Sequence, residues 1–495
     1  MAVHSDEPTL YIDGKWSNSA DRGLREIINP ADGSVITRVD EATAEDARAA
    51  VSAARSAFDD SPWRESTVEQ RCALLDTIAD LLVRDRDEIA RIETLDTGKT
   101  LRESHIDIDD VVSVFRYYAR LAAVEADRLV DVGDPTIISR VVREPVGVCV
   151  LIAPWNYPLL QIAWKIAPAI AAGATMVAKP SEVTPLSTIA LIRAAEEAGV
   201  PPGVLNLILG SGASVGDALT DTPDVDMISF TGGAATGARI AGVAAPYVTR
   251  VALELGGKNP HIVFADADRE AALDAVITGV FLHSGQVCSS GTRLIIEESI
   301  ADDFVAALVP RAEAIRFGDG LDENSETGPL VSQSHREKVE SYVRLGVSEG
   351  ATLMTGGERP TGEKFAVGSY FPPTILDHCD RSMRVVQEET FGPILTVERF
   401  ATEREAIELG NDTTYGLAAG VRTSDTARAE RVARALRHGT VWINDFGVYT
   451  AAAEWGGFGK SGNGRELGPT GLAEYQEHKH IWTNTAPKEV GWFTS

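Results

Sequence analysis

Apolar residues recur at helical spacing early in the chain, with Val51, Ala54 and Phe58 following Thr43-Ala44-Glu45-Asp46, and Leu74, Leu75, Ile78, Leu81 and Leu82 following Thr67-Val68-Glu69-Gln70. Each four-residue leader reads as a capping box, in which side chains three apart satisfy the free N–H groups of a first helical turn. The first third therefore begins as amphipathic helices. From about Val146 the period changes: β-rich runs at 148–152, 175–178, 204–209, 226–230 and 251–255 alternate with helical stretches, which predicts a parallel, doubly wound sheet. A second series follows, with a strand at 261–264, a helix around 271–280, a strand at 292–296 and a helix at 301–315. Glycine and proline in Leu255-Gly256-Gly257-Lys258-Asn259-Pro260 mark the joint between two α/β domains.

A length of 495 residues agrees with two or three domains, because one core does not grow to that size. Lys and Arg number 46 against 73 Asp and Glu, a net charge of −27 that repels nucleic acid and anionic membrane surfaces. Neither is expected as a partner. The opening residues carry His4, Asp6 and Glu7 in place of a basic segment leading into an apolar one, so secretion is not indicated. The apolar stretches 146–154 and 166–177 fall short of the roughly 20 residues a membrane-spanning helix needs. Cys72, Cys149, Cys288 and Cys379 have no metal-ligand spacing and no disulfide-framework density, so free thiols in a reducing cytoplasm, and no metal, are expected.

Open α/β sheets bind ligands beyond the carboxyl ends of their strands. The loops expected there are Pro154-Trp155-Asn156-Tyr157-Pro158, Lys179-Pro180-Ser181-Glu182, the glycine-containing stretch 210–216 and Thr231-Gly232-Gly233-Ala234-Ala235-Thr236-Gly237. Glycine at a strand-to-helix turn lets backbone N–H groups approach a phosphate at the positive end of a helix. None of these loops is G-x-G-x-x-G, and singly each serves equally well as a tight turn. The Glu182 carboxylate is suited to both hydroxyls of an adenosine ribose and opposes a 2′-phosphate. Cys288 sits in the polar stretch His283-Ser284-Gly285-Gln286-Val287-Cys288-Ser289, whereas Cys149 alternates with Val148 and Val150 inside a strand, which separates a candidate nucleophile from a packing cysteine. Glu254 ends an apolar strand, where burial would raise its pKa and suit it to general-base work; the alternative is a surface carboxylate.

Seven segments, Pro154-Trp155-Asn156, Lys179-Pro180-Ser181-Glu182, Phe230-Thr231-Gly232, Glu254-Leu255-Gly256-Gly257-Lys258, Gly285-Gln286-Val287-Cys288, Glu389-Thr390-Phe391-Gly392-Pro393 and Ser461-Gly462-Asn463-Gly464-Arg465-Glu466, resemble in order and separation the motifs of the NAD(P)-dependent aldehyde dehydrogenase superfamily. The resemblance spans roughly Tyr11 to Trp482. It implies an α/β fold with a Rossmann-type NAD-binding domain (1–125 and 145–256), an α/β catalytic domain (257–472) and a small β oligomerisation module (126–144 and 473–495) that pairs subunits into a homodimer or homotetramer. It implies Cys288 as nucleophile, Glu254 as general base, Asn156 with the Cys288 backbone N–H as oxyanion hole, and Lys165 with Glu466 as a buried pair relaying a proton outward. For NAD, favoured over NADP, it implies Lys179, Ser181 and Glu182 about the adenosine ribose. Ile152, Pro154, Trp155, Asn156, Gly212, Gly216, Phe230, Thr231, Gly232, Gly233, Thr236 and Leu255 line the rest of the cofactor site, with Glu389 and Phe391 beside the nicotinamide and its ribose. Many relatives carry serine where this chain has Gly233, which removes one side-chain hydrogen bond to the pyrophosphate.

Within the superfamily, the stretches 154–168 and 441–446 look most like betaine aldehyde and ω-aminoaldehyde dehydrogenases, whose substrates are cationic. The resemblance places Tyr157, Trp164, Leu282, Val287, Tyr449 and Trp455 at the substrate, where aromatic faces attract a quaternary ammonium by roughly 0.5 to 2 kcal/mol each. Leu282 stands where plant members carry tryptophan, and Gly447 and Val448 replace bulkier residues, leaving room for a larger apolar aldehyde. The alternative is a broad-range aldehyde dehydrogenase. A cysteine hydrolase using Cys288 with His283 leaves the nucleotide-type loops without a purpose, and a noncatalytic role leaves Cys288, Glu254 and Asn156 without one.

Overall fold

Both capping boxes form in the computed structural model, which describes residues 7–493. The Thr43 backbone N–H donates to Asp46 at 2.8 Å while the Thr43 hydroxyl accepts from the Asp46 N–H at 3.2 Å, starting the helix Ala44–Asp60. Thr67 and Gln70 do the same for the helix Val68–Arg84. The ends of the first and last expected segments, residues 1–6 and 494–495, lie outside the described residues.

The five expected strands build one parallel sheet, in the order Arg250–Leu255, Met227–Gly232, Val148–Ile152, Thr175–Lys179, Leu205–Leu207. Chain order reverses between Val148–Ile152 and Met227–Gly232, and a doubly wound sheet opens a crevice at such a switch point. The loops Pro154-Trp155-Asn156 and Thr231-Gly232-Gly233 leave from those two strands. Two short antiparallel strands, Leu10–Ile12 and Lys15–Ser17, extend one edge, an addition that periodicity in so short a run does not reveal. At the other edge Gly462–Asn463 pairs with Leu253 and Glu254. The chain thus returns to the first sheet at 462, where Gly462, at φ +125°, has no β-carbon to strike the Leu253 carbonyl.

The helix Pro158–Ala172 is buried at all fifteen positions, in keeping with a sequence that is apolar apart from Gln161 and Lys165. The second sheet runs Thr352–Thr355, Thr374–Asp377, Ile394–Phe400, Arg293–Glu297, Pro260–Val263, Ala418–Arg422, Thr440–Ile443, parallel except at its first strand. Its centre holds a buried fork: Arg293 donates to Glu398 at 2.8 and 3.0 Å and to the Leu409 carbonyl at 3.0 Å. Arg293→Met leaves the Glu398 charge unpaired in the core, so urea unfolding should show a loss of about 3–5 kcal/mol. A loss below about 1 kcal/mol would mean the pair contributes no more than a surface bridge. A third sheet joins Gln476–Asn484, Ile137–Pro145 and Arg128–Val130 antiparallel, with Leu129, Ile138 and Trp482 exposed on it. Among the described residues no helix is long and apolar enough to cross a membrane, and no group of three or more His, Cys, Asp or Glu is placed to hold a metal ion.

Candidate active site

The carboxyl ends of the parallel strands open onto a cleft of about 610 Å³. Ile152, Pro154 and Trp155 line it from the first strand, Lys179, Ser181 and Glu182 from the second, Gly212 and Gly216 from the helix Gly212–Thr220, and Phe230, Thr231, Gly232, Gly233 and Thr236 from the fourth strand and its helix. A β-carbon on Gly212, Gly216 or Gly233 would meet no protein atom within 4 Å, so internal packing does not demand these glycines and the space above them is open. Gly233 caps the helix Ala234–Ala244 with no side-chain hydrogen bond, which leaves first-turn N–H groups facing that space. Lys179 is buried with its pKa lowered, chiefly by desolvation, and its ammonium lies 3.9 Å from the Glu182 carboxylate. These residues fit a dinucleotide: open glycine turns for the pyrophosphate, a carboxylate for a ribose diol.

The cleft continues through Pro154, Trp155, Thr231, Gly232 and Gly233 into an inner cavity of about 200 Å³, where Asn156, Glu254, Leu255, Cys288, Glu389 and Phe391 converge. Every cofactor and catalytic residue expected from the sequence lines one of the two spaces, except Lys165 and Glu466, which lie behind Glu254. His335 and Lys338, on the helix Gln333–Ser348, line both spaces and escaped the sequence reading. Only the Ser332 cap before an amphipathic helix marked that segment. His335 donates Nε2–H to the Phe391 carbonyl at 2.7 Å, and its ring stands edge-on to Trp155 at 5.0 Å. That bond helps hold Phe391 in left-handed backbone, φ +57°.

Cys288 follows a loop with three successive left-handed residues, His283 at φ +48°, Ser284 at +52° and Gly285 at +71°. A β-carbon on Gly285 would lie 2.3 Å from the Gly392 carbonyl oxygen, so this turn admits only glycine. Asn156 is buried and donates one amide N–H to the Gln286 carbonyl at 2.8 Å; its second N–H is free to donate elsewhere. Burial, followed by the charges of Glu254 and Glu389, pushes the Cys288 thiol above the usual range, while backbone N–H groups of Ser289 and Cys288 oppose the shift. Glu254 is buried rather than a surface carboxylate, and its Oε1 has no hydrogen-bond partner. Desolvation and then the nearby Glu466 hold it well above the carboxylate range, and Lys165 pulls the other way. Lys165 Nζ contacts Glu466 Oε1, Thr231 Oγ1 at 2.7 Å and Ser229 Oγ at 3.1 Å. Glu389 is pushed up to about 7, chiefly by burial, and accepts from the Gly257 N–H at 3.2 Å. His283, weighed as a base for the thiol, turns away from that role and donates Nε2–H to the Asn156 carbonyl at 3.1 Å.

Three expected substrate residues form one ring cluster: Tyr449 stands 4.9 Å from Trp455 and 6.2 Å from Trp164, and its hydroxyl contacts the Ser289 hydroxyl beside Cys288. The Trp455 backbone pairs with Glu466 in both directions, at 2.7 and 2.8 Å. Tyr157 differs, because Lys99 Nζ already sits 4.2 Å above its ring, held by Asp107 at 2.5 Å and Glu93 at 3.3 Å. Val287 is half-buried, and Leu282 is 43% exposed, outside the ring cluster. The loop bearing Tyr449 is pinned by Phe446, whose ring fills a slot that β-carbons on Gly279, Gly291 and Gly420 would occupy at 2.9, 2.9 and 2.6 Å, and stacks on His261 at 4.6 Å.

The aldehyde dehydrogenase family model matches residues 16–481. Betaine aldehyde dehydrogenase of Bacillus subtilis is 53% identical over 98% of this chain and 99% of its own length. The peroxisomal aminoaldehyde dehydrogenase 1 of Pisum sativum is 42% identical over 100% of this chain and 99% of its own. The crystal structure of Staphylococcus aureus betaine aldehyde dehydrogenase in complex with NAD+ superposes with a TM-score of 0.97 at 51% identity, covering 99% of this chain and 97% of that one. With a cysteine, a buried carboxylate and an amide gathered at the end of a dinucleotide-shaped cleft, and with likeness along the whole chain, this protein belongs to the aldehyde dehydrogenase family.

Proposed function

We propose that the protein oxidises a cationic aldehyde, betaine aldehyde or a related aminoaldehyde, to its carboxylic acid with NAD. The observation that carries this reading is the convergence of Cys288, Glu254 and Asn156 on one inner cavity continuous with the cofactor-shaped cleft. The Cys288 thiolate forms a C–S bond to the aldehyde carbon, and the resulting oxyanion accepts from the free Asn156 N–H and the Cys288 backbone N–H. NAD, when bound, supplies the acceptor for the hydride that leaves this carbon as the thiohemiacetal becomes a thioester. Glu254 then takes a proton from water, the hydroxide adds to the thioester carbonyl, and the C–S bond breaks to release the acid and regenerate the thiolate. The proton passes from Glu254 toward Glu466 and Lys165. In this reading the first sheet belongs to the NAD-binding unit and the second to the catalytic unit. The exposed apolar side chains of the third sheet fit a second copy of this chain, as a dimer or tetramer that light scattering would count. Four free cysteines suit a reducing cytoplasm.

NADH formation across an aldehyde panel tests the assignment, with betaine aldehyde expected to have a higher kcat/KM than an isosteric neutral aldehyde. Trp455→Ala should lower kcat/KM for the cationic aldehyde by a further factor of about 2 to 30 relative to the neutral one, as one aromatic face is lost. Equal losses would make the ring cluster an apolar funnel. A broad-range aldehyde dehydrogenase is the second reading, favoured by Lys99 on the Tyr157 ring and by the exposure of Leu282. For the coenzyme, Glu182→Gln removes a charge facing the 2′-phosphate position and should raise the NADP-to-NAD ratio of kcat/KM roughly tenfold. An unchanged ratio would remove Glu182 from coenzyme choice.

A further inference from the structure

We propose that His283 is the positioning residue that fixes where Asn156 presents its amide to the reacting oxygen. The inference rests on the reading of Asn156 as an oxyanion donor. Asn156 is tied at both of its ends to the loop that continues to Cys288. Its side chain donates to the Gln286 carbonyl at 2.8 Å, and its backbone carbonyl accepts from His283 Nε2 at 3.1 Å. A carbonyl only accepts, so Nε2 carries the ring proton and the tautomer is determined. Nδ1 is then bare, and it has no hydrogen-bond partner. Burial, and next the Lys99 ammonium, keep the ring neutral, so the donor does not change with working pH.

The ring is held as well as holding. The His283 N–H donates to Glu103 Oε1 at 2.7 Å, and the other oxygen of Glu103 accepts from the Thr100 N–H and hydroxyl, each at 2.7 Å. Ser284 is fixed from the opposite side, donating to Thr327 Oγ1 at 2.8 Å and to the Gly328 carbonyl at 2.6 Å. Two residues that carry β-carbons are therefore locked in left-handed backbone, which asparagine or glycine would adopt with less strain. A turn needing only that conformation has no use for an imidazole. The ring spans from the turn to the Asn156 carbonyl, with its edge against Tyr157 at 5.5 Å. It thereby sets the separation of the amide from the thiol, and a misplacement of about 1 Å at such a site costs up to about 100-fold in rate.

The test compares His283→Leu with His283→Gln, whose amide nitrogen stands where Nε2 does, each alone and combined with Asn156→Ala. His283→Leu should lower kcat/KM roughly 10- to 100-fold with NAD affinity and thermal midpoint near wild type, and His283→Gln should recover most of that loss. In the Asn156→Ala background His283→Leu should change kcat/KM less than about twofold, because the group it positions is gone. Equal losses in Leu and Gln, or the full loss persisting without the Asn156 amide, would overturn the inference while leaving the oxyanion reading intact. An Asn156→Ala enzyme with undiminished kcat/KM would overturn the oxyanion reading itself. If His283→Leu does not fold, His283→Met makes the same comparison with Gln.

Discussion

Cys288→Ala is expected to reduce NADH formation from any aldehyde by at least about 10⁴-fold, the scale on which removal of a covalent nucleophile is felt. No other thiol replaces it: Cys149 is buried inside a strand, and Cys72 and Cys379 line neither cavity. The cleft is untouched by the substitution, so NAD should still bind. Steady turnover near the wild-type rate, with NAD bound, would sink the covalent mechanism.

Glu254→Gln should separate the two halves of the reaction. Thiohemiacetal formation and hydride transfer to bound NAD draw on Cys288 and Asn156 and not on Glu254, so the variant should release about one equivalent of NADH per site and then stall as a thioester. Steady-state turnover should fall by about 10² to 10⁴, the usual contribution of a general base. The sign of the pH dependence follows from the same residue. In the wild type, burial holds both Cys288 and Glu254 above their usual ranges, so the reactive deprotonated forms gain as pH rises and turnover climbs toward alkaline pH. Removing the Glu254 charge removes one of the causes that raise the thiol, and alkylation of Cys288 by iodoacetamide should move to lower pH. An undiminished steady state, or a burst lost together with turnover, would take Glu254 out of the hydrolytic step.

The five parallel strands of the first sheet are legible because each is a short apolar run followed by a turn or loop, and the glycine- and proline-containing loops among them carry the site. Ile152, Lys179, Phe230 and Glu254 thus fell where local pattern placed them. What remained hidden was built by long-range contact. His335 and Lys338 reach the cleft from a helix of the other sheet, with nothing in their own neighbourhood to announce a ligand. The return of Gly462 to the first sheet depends on the absence of a β-carbon opposite Leu253. Tyr157 lies on a segment whose pattern suggests an open face for a cation, and nothing along the chain reveals that Lys99, from the loop between two helices, already covers one side of it. Burial of Glu254 likewise depends on long-range packing, and it excludes the surface carboxylate that the sequence alone allows.

Phe446 in its three-glycine slot bears on how such an enzyme diversifies. The ring anchors the loop from within, while Gly447 turns the chain at φ +75° and Val448 is 58% exposed. Mutations at the exposed position 448 are thereby insulated from the folding of the chain, and lineages descending from this sequence can explore new side chains there without first acquiring compensating changes in the core, whereas the left-handed turn at 447 keeps its glycine. The glycines at 279, 291 and 420 have no such latitude: the Phe446 ring packs against all three, so the slot should persist through divergence while position 448 drifts.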